Sequence, residues 1–366
     1  MIKLATVFSG IGSVEQALKK MKIPHELIFA CDNGERELKI EKEEILLNTK
    51  EMNSTEKEEY VNLLYKNLKK PNYMEISYLS NYNLKKENFH QDIRFIDGKK
   101  YFGRVDLIVG GSPCQSFSII GKRGGFNDTR GTLFYEYARL VKETSPKVFI
   151  YENVRGMLNH DKGKTWETIK NVFNELNYNI YIDTNPILNA KDYGIPQNRP
   201  RIFVVGIRKD IELKKEFSFP NKLELTKKVS DYYEKDIDEK YYLGQKGFEF
   251  VTNPKYKNRA QINQDIMMCQ KANQQFNWNG DFVFEEFDKI KHTKKVMERA
   301  YKSIYQNKEG VIRKLTPREC LRLMGFEDDF KIVVPDTQLY RQSGNSIVVN
   351  IFEELLKELE ETGVWI

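Results

Sequence analysis

The stretch VDLIVGGSPCQSFS, residues 105–118, runs a short Val/Ile/Leu segment straight into a turn of small residues that carries a cysteine behind a proline. A brief apolar run closed by glycine reads as a buried strand. The pattern recurs at 4–10 (LATVFSG), 26–32 (ELIFACD) and 147–153 (KVFIYEN), with amphipathic stretches such as 14–21 and 133–143 between the runs. Strands alternating with helices predict an α/β fold with a parallel sheet and right-handed crossovers. YNIYIDTNPILNA and PRIFVVGIR, further on, are expected to form an antiparallel pair at the sheet edge.

The chain has 366 residues, enough for a large core and a second domain. Its 59 basic and 53 acidic residues leave a net charge of +6, which permits a nucleic-acid partner without demonstrating one. No apolar run approaches the roughly 20 residues of a membrane span. The opening MIKLATVFSG reads as a first strand and not as a signal peptide, so a cytoplasmic setting is expected. Cys31, Cys114, Cys269 and Cys320 are far apart, with no Cys-x-x-Cys and no histidine at ligand spacing. That predicts neither a metal site nor a disulfide framework.

Residues 39–86 are rich in Lys, Glu, Asn and Tyr and read as a charged insertion, a solvated surface excursion. From about 209 to 313 the strand–helix alternation fades and Asn and Gln crowd 251–280, as expected of a second, smaller domain. RKLTPRECLRLMGF then opens a helix, with Thr316 as N-cap, Pro317 at N1 and Glu319 at N3.

Each strand ends in polar or reactive residues, and ligands of open parallel sheets bind outside the carboxyl ends of the strands. Ser9, Gly10 and Gly12 form a glycine turn whose N–H groups suit an anionic ligand; most such turns are only turns. Asp32 is placed for ribose hydroxyls or for capping a helix. Cys114 is a nucleophile or an inert small residue. Glu152 closes a buried strand, positioned to exchange a proton or simply to pair with an arginine. Arg199 and Arg201, two apart, share one face of an extended segment; they clamp an anion or a base edge, or are merely solvated.

Taken in order, FSGIGS, GGSPCQSFS, GGFNDTRGTLF, ENV, YGIPQNRPRIF, RKLTPRECLRLMGF and QSGNSIVVNI resemble the DNA (cytosine-5) methyltransferases over about residues 3–208 and 311–356. The resemblance implies a Rossmann-like S-adenosylmethionine-dependent sheet with a second, smaller target-recognition domain. Residues 1–209 would form the catalytic domain and 210–334 the recognition domain, with 335–366 returning to pack beside the first strand. Cys114 would add to C6 of a flipped-out cytosine, Glu152 would hold N3 and the amino group, and Arg201 would hold O2 with Arg199 in support. Phe8, Ser9, Gly10, Gly12, Asp32, Asp92, Ile93, Pro113, Leu133 and Asn345 would contact the cofactor, leaving S-adenosylhomocysteine and needing no metal. Val14 and Asn33 stand where relatives carry aromatic residues, which implies weaker adenine stacking.

Gln115 and Ser118 lie on the loop that would close over duplex DNA. In the recognition segment Asn258, Arg259, Gln261, Asn263, Gln274 and Gln275 have the chemistry of base readers, though a phosphate contact or plain solvation is the commoner role for any one of them, while Tyr256, Phe276 and Trp278 are expected in its core. The resemblance further implies a monomer and, as the modification enzyme of a restriction–modification system, a separate cognate endonuclease. An RNA or tRNA cytosine-5 methyltransferase of the same fold and a catalytically silent DNA-binding protein are the alternatives.

Overall fold

The computed structural model describes residues 1–113, 133–287 and 293–366. Eight strands build the main sheet: β1 (Ile2–Val7), β2 (His25–Cys31), β3 (Phe89–His90), β4 (Leu107–Gly110), β5 (Val148–Val154), β6 (Tyr178–Tyr181), β7 (Ile187–Asn189) and β8 (Pro200–Arg208). Their order is β3-β2-β1-β4-β5-β8-β6, with β7 paired to β8. The four runs expected from sequence are β1, β2, β4 and β5, and they pair in parallel. Val, Ile, Leu and Phe on both faces of β4 and β5 are buried, which is why these runs read as continuous rather than alternating. β8 is antiparallel to both β5 and β6, so of the expected pair only β6 is at the edge.

The chain leaves β1 toward β2 on one side and later enters β4 on the other. Val7 is in register with Gly110, and Gly110 with Tyr151. The carboxyl ends of β1, β4 and β5 therefore lie side by side at the topological switch point, where an open α/β sheet leaves a crevice. Helix α1 (Ser13–Lys20) follows β1, with its N-cap Gly12 at φ 81°. Helices α2 (Lys42–Asn48), α3 (Ser54–Lys66) and α4 (Tyr73–Asn81) fill the charged segment, and α5 (Leu133–Thr144) and α6 (Lys164–Asn174) flank β5.

The charged segment is not the solvated excursion its composition suggested. Ile45, Val61, Tyr65, Met74 and Tyr78 are buried, and Ile45, Val61 and Tyr65 share a cluster with Phe95. Lys and Glu occupy the outer faces of these helices, so the charge count describes one side of each.

Later in the chain come α7 (Gln245–Thr252), β9 (Ala260–Ile262), β10 (Gly280–Glu286), α8 (Lys294–Arg299), β11 (Ser303–Tyr305), β12 (Lys308–Lys314), α9 (Pro317–Arg322), α10 (Asp336–Asn345) and α11 (Val349–Thr362). The four strands form a separate sheet in the order β11-β12-β10-β9. Gln306 and Asn307, both at positive φ, make the tight β11–β12 turn. Helix α9 opens on a capping box of Thr316 and Glu319 with Pro317 in the first turn, as expected.

Two compact units result. The larger comprises Met1–Leu188, Pro200–Asn221 and Phe352–Ile366; the smaller comprises Asn189–Arg199 and Lys222–Ile351. Within the larger unit the returning C-terminal helix, expected beside the first strand, reaches Lys20 at the end of α1 through Glu353 and Phe203 of β8 through Phe352. The backbone N–H of Lys214 donates to the Thr362 carbonyl at 2.9 Å. Among the described residues no helix is long and apolar enough to cross a membrane.

Candidate active site

The turn after β1 is strained where ligands of such sheets bind. Phe8 takes φ 54°, a region few non-glycine residues occupy, and Gly10 follows at 55°. The turn is laced to the end of β2. Ser9 N–H donates to the Cys31 carbonyl at 3.1 Å, Cys31 N–H to Ser9 Oγ at 3.0 Å, and Gly10 N–H to Asp32 Oδ2 at 3.0 Å. Asp32 Oδ1 accepts from Gly34 N–H at 2.8 Å. Burial pushes the Asp32 carboxyl above its ordinary range, and these two backbone donors oppose that. A Cβ added to Gly10 would meet nothing within 4 Å among the described residues, so this backbone faces open space. A half-buried carboxylate held beside this glycine turn fits a ligand with ribose hydroxyls.

Asp92 and Ile93 lie just past β3. Asp92 Oδ2 accepts from Tyr65 Oη at 2.9 Å and pairs with Arg94 Nη2 at 2.6 Å, while Oδ1 caps the following turn through Arg94 N–H at 3.0 Å. Ile93 is buried in the main core, against which Phe8 and Leu133 pack half-buried. Asn345 is the last residue of α10, exposed, in the smaller unit.

The glycines before the cysteine loop serve close packing. A Cβ on Gly110 would sit 2.6 Å from Val7 Cγ2, and one on Gly111 would sit 2.7 Å from Glu152 Oε2. The room they leave is taken by neighbouring strands. Ser112, buried, is fixed from β5: its Oγ lies 2.8 Å from Tyr151 Oη, and its carbonyl accepts from Asn153 Nδ2 at 3.0 Å. Pro113 ends this described stretch; Cys114, Gln115 and Ser118 lie outside the described residues.

Glu152 and Arg201 form an ion pair, Nε to Oε1 at 3.0 Å, with side chains 13% and 12% exposed for Arg201 and Glu152 respectively. The antiparallel register, Val154 to Arg201 and Glu152 to Phe203, brings them together. Arg199 takes different partners. Within the smaller unit it is buried and donates to the carbonyls of Gln270, Gly344 and Ser346, the last two at 2.9 and 2.6 Å. It fastens backbone there, so the two arginines expected to act together do separate work.

In the smaller unit Asn258 and Arg259 are exposed and Gln261 is half-buried on β9. Arg259 lies 5.5 Å from the Phe250 ring centroid and donates to the Asn277 carbonyl at 3.2 Å. Asn263 spends its amide on Phe284, donating to its carbonyl at 3.0 Å and accepting its N–H at 2.9 Å. Gln274 and Gln275 are buried, which removes them from a reading surface. Phe250 stacks on Tyr256 at 4.1 Å and packs on Trp278 at 5.2 Å, in keeping with the expected core role.

Asp281, in the same unit, accepts from Met268 N–H, and burial pushes its carboxyl up to about 7. The folded form thus holds a proton that the unfolded chain releases near pH 4. The stability this contributes is full below about pH 4 and is lost as pH rises through about 7. Asp281→Asn should flatten the fall in Tm between pH 5 and 8, with the largest gain over wild type at pH 8; parallel Tm profiles would refute this.

The sequence reading missed Tyr65, Asn72, Tyr78 and Tyr82. All come from the segment given no role, and a single sequence offers no period or motif that marks them.

Residues 55–361 match the family profile described as C-5 cytosine-specific DNA methylase. The chain is 39% identical over 276 residues to Type II methyltransferase M.SsoII of Shigella sonnei, covering 74% of this chain and 68% of that protein. It is 36% identical over 271 residues to Type II methyltransferase M.HpaII of Haemophilus parainfluenzae, covering 70% and 72%. Among solved structures, a DNMT2 mutant of Spodoptera frugiperda superposes with a TM-score of 0.67 at 19% identity, covering 99% of this chain and all of that one, a likeness of fold alone.

Proposed function

The chain belongs to the C-5 cytosine-specific DNA methylases and is a DNA cytosine-5 methyltransferase, and from that premise we propose that it modifies one cytosine of a short duplex site through a covalent Cys114 adduct. The family uses S-adenosylmethionine, which when bound supplies an electrophilic methyl group. Phe8, Ser9, Gly10, Gly12, Asp32, Asp92, Ile93, Pro113 and Leu133 are the residues of the larger unit that would hold it.

The observation that carries the reading is the Glu152–Arg201 pair at 3.0 Å beside Gly111, three residues before Cys114. C5 of cytosine is a weak nucleophile. Addition of the Cys114 thiolate to C6 loads electron density onto C5, splitting one hard step into easier ones. Glu152 then stabilises charge at N3 and the amino group, and Arg201 orients Glu152 and contacts O2. Loss of the C5 proton and departure of the thiolate restore the ring. Extrusion of the cytosine from the stack costs a few kcal/mol, which Gln115 offsets by entering the vacancy.

The smaller unit is the target reader in this proposal, with the exposed Asn258 and Arg259 and the half-buried Gln261 as candidates and Asn263 an internal brace. Arg199 is a positioning residue. A restriction–modification role, a separate endonuclease partner, monomeric action and a cytoplasmic setting complete the reading. Bisulfite sequencing of DNA from cells expressing the chain should show one cytosine protected within a fixed short context. No protected cytosine, or methyl transfer to RNA outcompeting transfer to DNA, would overturn it.

A further inference from the structure

The segment 39–86 takes no part in the chemistry above, yet its inward side chains end on the loops assigned to the cofactor. Tyr65, from the last turn of α3, donates to Asp92 Oδ2 at 2.9 Å. Asn72, the N-cap of α4, accepts from the N–H groups of Met74 and Glu75 at 3.1 Å each. Its Nδ2 donates to the Asp32 carbonyl at 2.7 Å and to Gln91 Oε1 at 2.9 Å. Tyr82, just past α4, donates to the carbonyls of Gly12 and Ile11 at 2.7 and 3.1 Å, and its ring fills the space where a Gly12 Cβ would be.

Two further residues join these contacts. Tyr78 Oη donates to Glu15 Oε1 at 2.5 Å, and the same oxygen accepts from Thr6 of β1 at 2.9 Å. Arg36 donates to the Tyr65 carbonyl at 3.2 Å, lies 5.1 Å from the Tyr65 ring centroid, and reaches Gln91. Buried polar groups are costly unless paired, so a network that ends on these loops fixes their geometry as well as its own.

We propose that α3 and α4 form a clamp that sets the cofactor pocket, with Tyr65, Asn72 and Tyr82 as positioning residues for Asp92, Asp32 and the Gly12 turn. The proposal rests on the reading of those three places as cofactor contacts. A pocket held in its bound shape loses less freedom when the ligand enters, so the clamp acts on affinity. It leaves the methyl-transfer step itself alone.

The test uses the full chain and calorimetric titration with S-adenosylhomocysteine, alongside KM for S-adenosylmethionine, kcat and Tm. Tyr65→Phe and Tyr82→Phe keep the rings and remove only the hydroxyls. Asn72→Ser keeps a good helix cap and removes the donor to Asp32. Each should raise Kd and the cofactor KM roughly three- to tenfold, the scale of one lost hydrogen bond. At saturating cofactor kcat should stay within about twofold of wild type, the signature of lost binding rather than lost chemistry. A lower Tm with Kd unchanged in all three would overturn the clamp and leave the segment a structural support. Asp32→Ala separates the two readings. If it weakens binding at least tenfold while the three variants do not, the clamp alone fails. If it too leaves Kd unchanged, the cofactor assignment fails and takes the clamp with it.

Discussion

Cys114→Ala is expected to lower methyl transfer to DNA by at least about 10⁴-fold, because the adduct that makes C5 nucleophilic can no longer form. Affinity for S-adenosylhomocysteine should stay within about twofold, since the thiolate's part is in the chemical step. A duplex carrying 5-fluorocytosine at the target position sharpens the test. The fluorine cannot depart as the C5 proton does, so the wild-type adduct should persist and survive denaturation, while the alanine variant gives none. The strand leading to the cysteine supports this. Ser112 is held from β5 through Tyr151 and Asn153, so the chain enters the loop from a fixed point. Turnover by the alanine variant within tenfold of wild type, or a 5-fluorocytosine adduct on another side chain, would end the mechanism.

What the sequence made legible follows from how this fold concentrates chemistry. The ends of β1, β2, β4 and β5 carry the glycine turn, Asp32, the Pro-Cys loop and Glu152, and the parallel register of β1, β4 and β5 sets three of those ends side by side. Reactive residues at the ends of apolar runs can be read without knowing the strand order. The segment 39–86 hid its role because charge on exposed helix faces dominates the composition, while its few inward polar groups follow no period. Tyr65 and Tyr78 are nearly inaccessible, at 1% and 0% exposed, and hydroxyls at such positions must find partners.

Part of the Asn- and Gln-rich stretch turns inward for a related reason. Amides suit adenine, but they equally serve a loop-rich backbone that no ladder satisfies. Asn263 pairs both ways with the backbone of Phe284, much as a strand residue would, and Gln275 Nε2 donates to the Asp281 carbonyl at 2.8 Å. Arg199 shows the same ambiguity. Two arginines at i and i+2 looked like one clamp, and the chain uses one of them to gather three carbonyls.

Glu152→Gln should reduce kcat by about 10²- to 10³-fold, the scale of losing one electrostatic contact to the transition state. The amide keeps the shape and one acceptor for Arg201 but cannot share a proton with N3, where electron density builds as the thiolate adds to C6. A glutamate paired with arginine can also be purely structural, and both side chains here are mostly buried. The roles separate by measurement. A structural pair, once broken, leaves an uncompensated buried guanidinium and costs several kcal/mol of stability, while the folded fraction turns over normally. A catalytic carboxylate leaves S-adenosylhomocysteine and DNA binding intact and takes kcat alone. Gly111→Ala is the geometric counterpart: its methyl would lie 2.7 Å from Glu152 Oε2 and 2.8 Å from the Glu152 carbonyl oxygen, displacing the carboxylate without altering its charge. Both substitutions should lower kcat, and the Gly111→Ala loss should not add to that of Glu152→Gln in the double variant, because both act on one group. If Glu152→Gln retained kcat within about threefold of wild type, the pair would be a brace between β5 and β8, and charge stabilisation would have to be sought elsewhere along the strand ends.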